Sequence, residues 1–235
     1  MTDLAAARPE SRSTMSVDEA ISSRFSVRAF LPDPVSEDTV RHILEVASGA
    51  PSGTNMQPWH VYAVSGAAKE NLTAEVLAAR DRGEEDREYW YYPEEWREPY
   101  LSRRRKVGLD MYGLLGIAKG DKEKMWAQFG RNYEFFGAPV GLFFSVGREL
   151  KRGSWFDMGL FVQSVMVAAR GQGLHTCPQV AWCGYHKVVR EVLGIPDEHM
   201  LVCGMSLGVI DESDPVNRLI TERAPVDEFG KFFGF

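Results

Sequence analysis

Two stretches of the chain concentrate side chains whose types and spacing can do chemistry. Arg24-Phe25-Ser26-Val27-Arg28 sets two guanidinium groups and a hydroxyl within five residues. Those donors suit the oxygens of a phosphate group, which a planar guanidinium grips with two parallel hydrogen bonds. The second stretch is Ala50-Pro51-Ser52-Gly53-Thr54-Asn55-Met56-Gln57-Pro58-Trp59. A tight loop of this composition offers backbone N–H groups and side-chain amides to a flat polar ring, and neither a metal nor a nucleophile's base.

Each stretch also has a plainer reading. Two arginines four apart are often a solvated surface pair, and in a continuing helix they would share a face. A turn between a helix and a strand accounts for Pro51, Gly53 and Pro58, though not for Ser52, Asn55 and Gln57 in that order. Other signals are weaker. Gly171-x-Gly173 lacks the third glycine of a dinucleotide fingerprint, and Ser52 has no G-x-S-x-G context. His42, His60, His175, His186 and His199 show no metal-ligand spacing.

The elements that must position these residues follow from periodicity and caps. Ser16-Val17-Asp18-Glu19 is a capping box that starts a short helix ending near Arg24. Pro32 and Pro34 break the chain, and Ser36 caps a second helix with Val40, Ile43, Leu44 and Ala47 on one face and Gly49 at its end. Residues 60–65 read as a strand and 67–82 as a helix stopped by Gly83. Residues 140–146 and 201–210 read as further strands, and 187–193 as a short helix. Residues 155–170 form a helix that is apolar nearly all round and must be buried on all sides, by its own domain or by a partner. Residues 84–130 mix aromatics with the basic run Arg103-Arg104-Arg105-Lys106 and read as a helical excursion over the surface. This order lacks regular βαβ alternation, so an α+β sandwich fits best.

Composition sets the outer bounds. The 235 residues are 44% hydrophobic and 26% charged, enough for one domain with a sizeable core. A net charge of −6 argues against a general nucleic-acid binder. Cys177, Cys183 and Cys203 form no C-x-x-C pair, which fits a reduced, cytoplasmic chain. No apolar run reaches the length of a membrane span. Residues 1–15 read as a flexible arm without the apolar core of a signal peptide.

R-x-S-x-R and P-S-x-x-N-x-Q-P-W together resemble the FMN-dependent nitroreductase family. A third match is Asp157-x-Gly159-x-x-x-Gln163, leading to Ala168, Ala169, Gly173, Leu174 and Pro178, and Thr221-Glu222-Arg223 resembles the family's C-terminal phosphate arginine. The similarity covers about residues 16–80 and 130–235. It implies a single nitroreductase-like domain over 16–235, with a mostly antiparallel central sheet flanked by helices. It further implies a homodimer with FMN at the subunit interface, reduced by NADH or NADPH. Small planar nitroaromatic or quinone-type acceptors would then be reduced by alternating, ping-pong binding. Arg24, Ser26 and Arg223 would hold the phosphate, with Phe25 in the same cofactor set. Arg28 would lie near the flavin pyrimidine edge, where Arg131 is a second candidate for the positive charge. Pro51, Ser52, Gly53 and Asn55 would come from the partner subunit, with Gln57 supporting their loop. Pro178, Gln179 and Val180 would face the isoalloxazine ring. No protein acid or base is implied for the hydride step, and no metal.

The aromatics and basic run of 84–129, which the similarity does not cover, read as a lid-like insertion over the substrate, and the phenylalanines of 224–235 as a tail docked on the partner. Departures from the family pattern keep other readings open. Gly53 stands where many relatives carry Ser, Val180-Ala181 where a large branch has Glu-Gly, and Ala-Pro-Ser-Gly also occurs in a reductive dehalogenase branch. Dehalogenation or ene reduction, with Glu95, Glu98, Tyr100 and Arg103 clamping a zwitterion, is one alternative. A flavin-binding sensor without turnover is another.

Overall fold

The computed structural model describes residues 15–235, so most of the expected N-terminal arm lies outside the described residues. Four strands form one antiparallel sheet: β1 (His60–Ser65), β2 (Val140–Gly147), β3 (His175–Gln179) and β4 (His199–Gly208), in the spatial order β1-β2-β4-β3. Every residue of β2 is buried. That explains why its sequence reads as a continuous apolar run, since both faces of this inner strand are covered. Alternate residues serve two cores. Phe143 joins Leu72, Val76, Phe135 and Trp182 on one face, while Leu142 and Phe144 join Ile43, Phe161 and Val165 on the other.

The first core is roofed by α3 (Gly66–Asp81) and α7 (His186–Leu193), the second by α2 (Glu37–Ala47) and α6 (Arg152–Gly171). Ser16 caps α1 (Val17–Ser22) by accepting from the Glu19 N–H, and Ser36 caps α2 from the Thr39 N–H. Trp182 is fully buried against β4 at Gly204, where a Cβ would stand 2.5 Å from the indole. Only glycine admits the ring there.

Three features bear on the expectations. First, the short helix expected to end near Arg24 stops at Ser22, and residues 24–30 leave it. They run extended beside β3, with the Val27 N–H donating to the Thr176 carbonyl at 3.2 Å and Ser26 bridged to Thr176. Arg24 and Arg28 therefore share no helix face. Second, β3 was not expected. Its Pro178 has no N–H to give, which marks a loop by sequence but is tolerated on the edge strand that β3 is.

Third, residues 84–130 are helical only in α4 (Tyr100–Leu114) and α5 (Lys122–Gly130), and their non-helical start is pinned inward. Tyr89 packs on the first core and donates its hydroxyl to the Val202 carbonyl. Glu88 is nearly buried among Arg148, Arg190 at 2.9 Å and His186 at 3.2 Å. The Arg80 guanidinium, from α3, lies 3.7 Å from the Trp126 ring centroid and ties α5 down.

Within the single chain α6 keeps one face open. Phe156 is 70% exposed, Gly159 and Gln163 are exposed, and Leu160 and Val167 are half-buried along the same stripe. After α8 (Val226–Phe229) the tail exposes Phe229, Phe232, Phe233 and Phe235. Among the described residues no helix is long and apolar enough to cross a membrane.

Candidate functional site

Arg24, Ser26 and Arg28 lie beside Cys177 of β3, and Arg223 lies within electrostatic reach of Arg24. Arg24 is held below its ordinary pKa first by burial and then by the positive charge of Arg223. Burial pushes the Cys177 thiol up to about 11, although Arg28, a Ser26 hydrogen bond and Arg24 all pull it back. Among the described residues no carboxylate forms an ion pair with Arg24, Arg28 or Arg223. Arg223 is folded onto its own segment, donating to the Thr221 carbonyl at 2.9 Å and its hydroxyl at 2.7 Å. Two guanidinium groups that raise each other's energy, without a counter-charge, form a cradle that only an anion relieves. The residues therefore fit a phosphate.

Asn217 fixes this cradle in place. Its side chain accepts from the Arg28 N–H at 2.8 Å and donates to the Ala29 and Asp211 carbonyls, both at 2.8 Å. Beside it His175 packs edge-on against Phe25 and is pushed down to about 4, by burial first and Arg170 second. The ring is thus neutral in the fold but titrates near 6.5 when unfolded. Its folded pKa is depressed, so its contribution is complete above about 6.5 and is lost as pH falls toward 4. A His175→Asn variant should show a shallower loss of urea midpoint between those values. An unchanged slope would remove His175 from the acid response.

The Pro51–Gln57 stretch forms a strained loop around a short 3-10 turn, Gly53–Asn55. Thr54 (φ 50°), Asn55 (φ 58°) and Gln57 (φ 49°) all adopt left-handed backbone. Such conformations persist only where surroundings over-determine them. Here the Ser52 hydroxyl accepts from the Gln57 N–H at 2.9 Å, and the Gln57 amide donates to the Asn55 carbonyl at 3.2 Å. Buried Asp157 on α6 accepts from the Gly53 N–H at 3.2 Å, which gives the Asp157-x-Gly159 motif a physical task.

Beyond β3 opens a cavity of about 1050 Å³, walled by Tyr89, Trp90, Tyr91, Trp155, Pro178, Val180 and Cys203, with Lys151 and Arg152 also lining it. Tyr89 meets Trp155 edge-on at 4.8 Å. Burial raises the Tyr89 hydroxyl and the Cys203 thiol well above their usual ranges, and Cys183 to about 12. None of these groups is a thiolate or phenolate near neutrality. A smaller cavity of about 680 Å³ lies where the Pro51–Met56 loop meets the start of α6, and shares Leu150, Lys151 and Gly153 with the first. A third, of about 1270 Å³, lies under α4 and α5, lined by Arg28, Arg104, Arg105, Lys119 and Asn132 among others.

Residues 21–209 match the model of the nitroreductase family. The chain belongs to the nitroreductase family. It is 39% identical over 218 residues to the 4-nitrobenzoate reductase of Pseudomonas putida, covering 93% of this chain and 96% of that protein. It is 38% identical over 218 residues to the nitrobenzene nitroreductase of Ectopseudomonas oleovorans, covering 92% and 96%. Its fold superposes with a TM-score of 0.91 on the FMN and NADPH-dependent nitroreductase NfnB from Sphigopyxis sp. strain HMH, at 41% identity over 94% of this chain and 100% of that one.

Within this nitroreductase fold the expected site residues divide into sets. Arg24, Ser26, Arg28 and Arg223 come together, and Pro178 and Val180 share the aromatic cavity. Gln179 points the other way, as alternation along a strand requires. Its amide donates to the Asn132 carbonyl at 2.7 Å and accepts from Ser206 at 2.8 Å, so only its backbone is left for a ligand. Pro51 to Asn55 lie apart from the arginines, and none of the three cavities is lined by both sets. Arg131 sits 3.9 Å from Glu134 and lines none of the three.

The basic run is largely engaged elsewhere. Arg103 pairs with Glu228 at 3.1 Å, Lys106 with Asp110 at 2.7 Å and Glu222 at 3.6 Å, and Arg104 lies over the rings of Trp96 and Tyr92. Sequence reasoning missed Asn217, Lys151, Arg152 and Trp155 as site residues. Nothing local distinguishes a Lys-Arg pair before a helix from an ordinary solvated pair; the fold alone brings it to a cavity.

Proposed function

We propose that the chain is an FMN-dependent nitroreductase that takes hydride from NADPH and reduces nitroaromatic acceptors as a homodimer. One observation carries this reading: Arg24, on the segment bridged to the strand that leads into the aromatic cavity, and Arg223 near it form a cationic pair without a counter-charge. FMN, when bound, supplies the two-electron redox chemistry that the protein's own side chains lack.

The chain's residues bind and orient. Arg24, Ser26 and Arg223 hold the phosphate, and Arg28 brings positive charge to the pyrimidine edge of the ring. Because the arginine segment is hydrogen-bonded to Thr176, phosphate contacts and the Pro178–Val180 wall sit on one rigid edge. The inward anchoring of Gln179 fixes the backbone between Pro178 and Val180. Tyr89, Trp90 and Trp155 offer apolar faces to a planar acceptor and keep water from the reacting surface. Donor and acceptor take turns in the same cavity. The free, buried cysteines suit a reducing cytoplasm.

The test is NADPH reduction of the purified flavoprotein, followed by reoxidation with nitrobenzene and 4-nitrobenzoate. Parallel double-reciprocal lines are expected, and intersecting lines would speak against a shared cavity. Failure to reduce either acceptor would overturn the function.

The open stripe of α6 and the phenylalanine-rich tail support the dimer, with Pro51, Ser52, Gly53 and Asn55 reaching the partner's flavin. An interface above about 2,000 Å² is usual for obligate pairs of this kind. Sedimentation at micromolar concentration should give a dimer. A stable FMN-loaded monomer would refute it.

A further inference from the structure

We infer that Lys151 and Arg152 read a negative charge on the acceptor, so that the preferred acceptor is a nitroaromatic bearing a carboxylate. The inference rests on the nitroreductase reading above and specifies its substrate class. Among the described residues lining the 1050 Å³ cavity, Lys151 and Arg152 are the only charged ones, and no acidic residue accompanies them. Neither forms an ion pair with any described residue. The remaining walls are aromatic, aliphatic or backbone.

The neutral polar groups nearby are not available to a carboxylate. Tyr89 spends its hydroxyl proton on the Val202 carbonyl, and the buried Cys203 thiol is at most a weak donor. Neutral nitroaromatics and nitrobenzoates gain the same contacts from Trp90, Trp155 and Val180. Only the nitrobenzoate gains from the two cations. Lys151 is the N-cap of α6 and Arg152 its first residue, whereas the wall expected to meet the flavin is Pro178 on β3 and Val180 just beyond it. A ring whose carboxylate is held at Lys151 and Arg152 thus has a defined end left for the other wall. The Arg103–Lys106 run, the more conspicuous basic feature, lines other cavities and is largely paired.

Phosphate of NADPH is the other anion that could meet these cations, so the experiment separates the two. Lys151→Ala, Arg152→Ala, the double variant and Lys151→Arg would be purified with FMN and assayed with 4-nitrobenzoate and nitrobenzene, using NADPH and NADH. The double variant should raise the KM for 4-nitrobenzoate by about tenfold, the loss of one hydrogen bond to a charged group. The KM for nitrobenzene should change far less than that for 4-nitrobenzoate, and Lys151→Arg should keep most of the discrimination. Benzoate titrated against tryptophan fluorescence should bind more weakly to the double variant, and its salt dependence should shrink.

Equal KM changes for both acceptors, or none for either, would overturn the inference while leaving the nitroreductase reading standing. A rise confined to NADPH would overturn it by assigning the cations to the donor's phosphate. A wild-type enzyme that reduces neither acceptor would overturn the function and the inference together.

Discussion

Arg24→Ala and Arg223→Ala are each expected to weaken FMN binding by about 1.5–3 kcal/mol, or roughly ten- to 150-fold in Kd, the range for a hydrogen bond to a charged group. The positive charge of Arg223 acts on Arg24, so the double variant should lose less than the sum of the single losses. The same geometry predicts an opposite effect on the apoprotein. Removing Arg223 relieves the charge that depresses Arg24, so the flavin-free variant should melt no lower than flavin-free wild type. Fluorescence titration of FMN and thermal denaturation of the apoprotein check both statements. Wild-type FMN affinity in both single variants would dismiss the clamp.

Glu88→Ala should produce the larger loss of fold stability, about 1.5–3 kcal/mol, because it leaves half-buried Arg190 and its neighbour Arg148 without their shared carboxylate. Glu88 joins Arg148, Arg190 and His186, from β2's end and α7, to the chain entering the lid. The pH response has a definite sign. Burial alone would raise the Glu88 pKa, but hydrogen bonds from Arg148 and Arg190 outweigh it and the net shift is downward. Stability from Glu88 is therefore present above about 4.3, the ordinary glutamate value, and is lost as pH falls through the lower folded value. His186 is shifted down by burial despite the pull of Glu88, so its share fades earlier, as pH falls below 6.5. Urea midpoints of Glu88→Gln across pH 7 to about 3 should lose the lower of these two limbs. A wild-type-like curve would show that the cluster carries no net stabilisation.

The legible parts of this protein were those in which neighbouring residues act together. Caps at Ser16 and Ser36, the apolar run of β2 and the arginine motif all speak within a few positions. The unread parts depend on what the fold brings from afar. β3 hides behind Pro178, acceptable only because the strand is at an edge. Glu88 and Tyr89 look like members of a polar surface stretch until β4 and α7 supply their partners. The family resemblance places Gln179 along the flavin but says nothing of its side chain, which strand alternation sends to Ser206 and Asn132. Lys151 and Arg152 gain meaning only from the cavity that opens beside them.

The ion pairs between Arg103 and Glu228 and between Lys106 and Glu222 bracket Arg223 and fasten α4 to the segment that carries it. All four side chains are at least half exposed. Such solvent-exposed pairs contribute little individually and weaken as salt rises. The positions of α4 and of the segment that carries Arg223 are therefore linked equilibria. Whatever steadies Arg223 steadies α4 by the same free energy, and whatever loosens α4 loosens the grip on the cofactor in return. Ionic strength acts on that exchange directly, so along a single salt titration flavin retention should fall as the mobility of α4 rises.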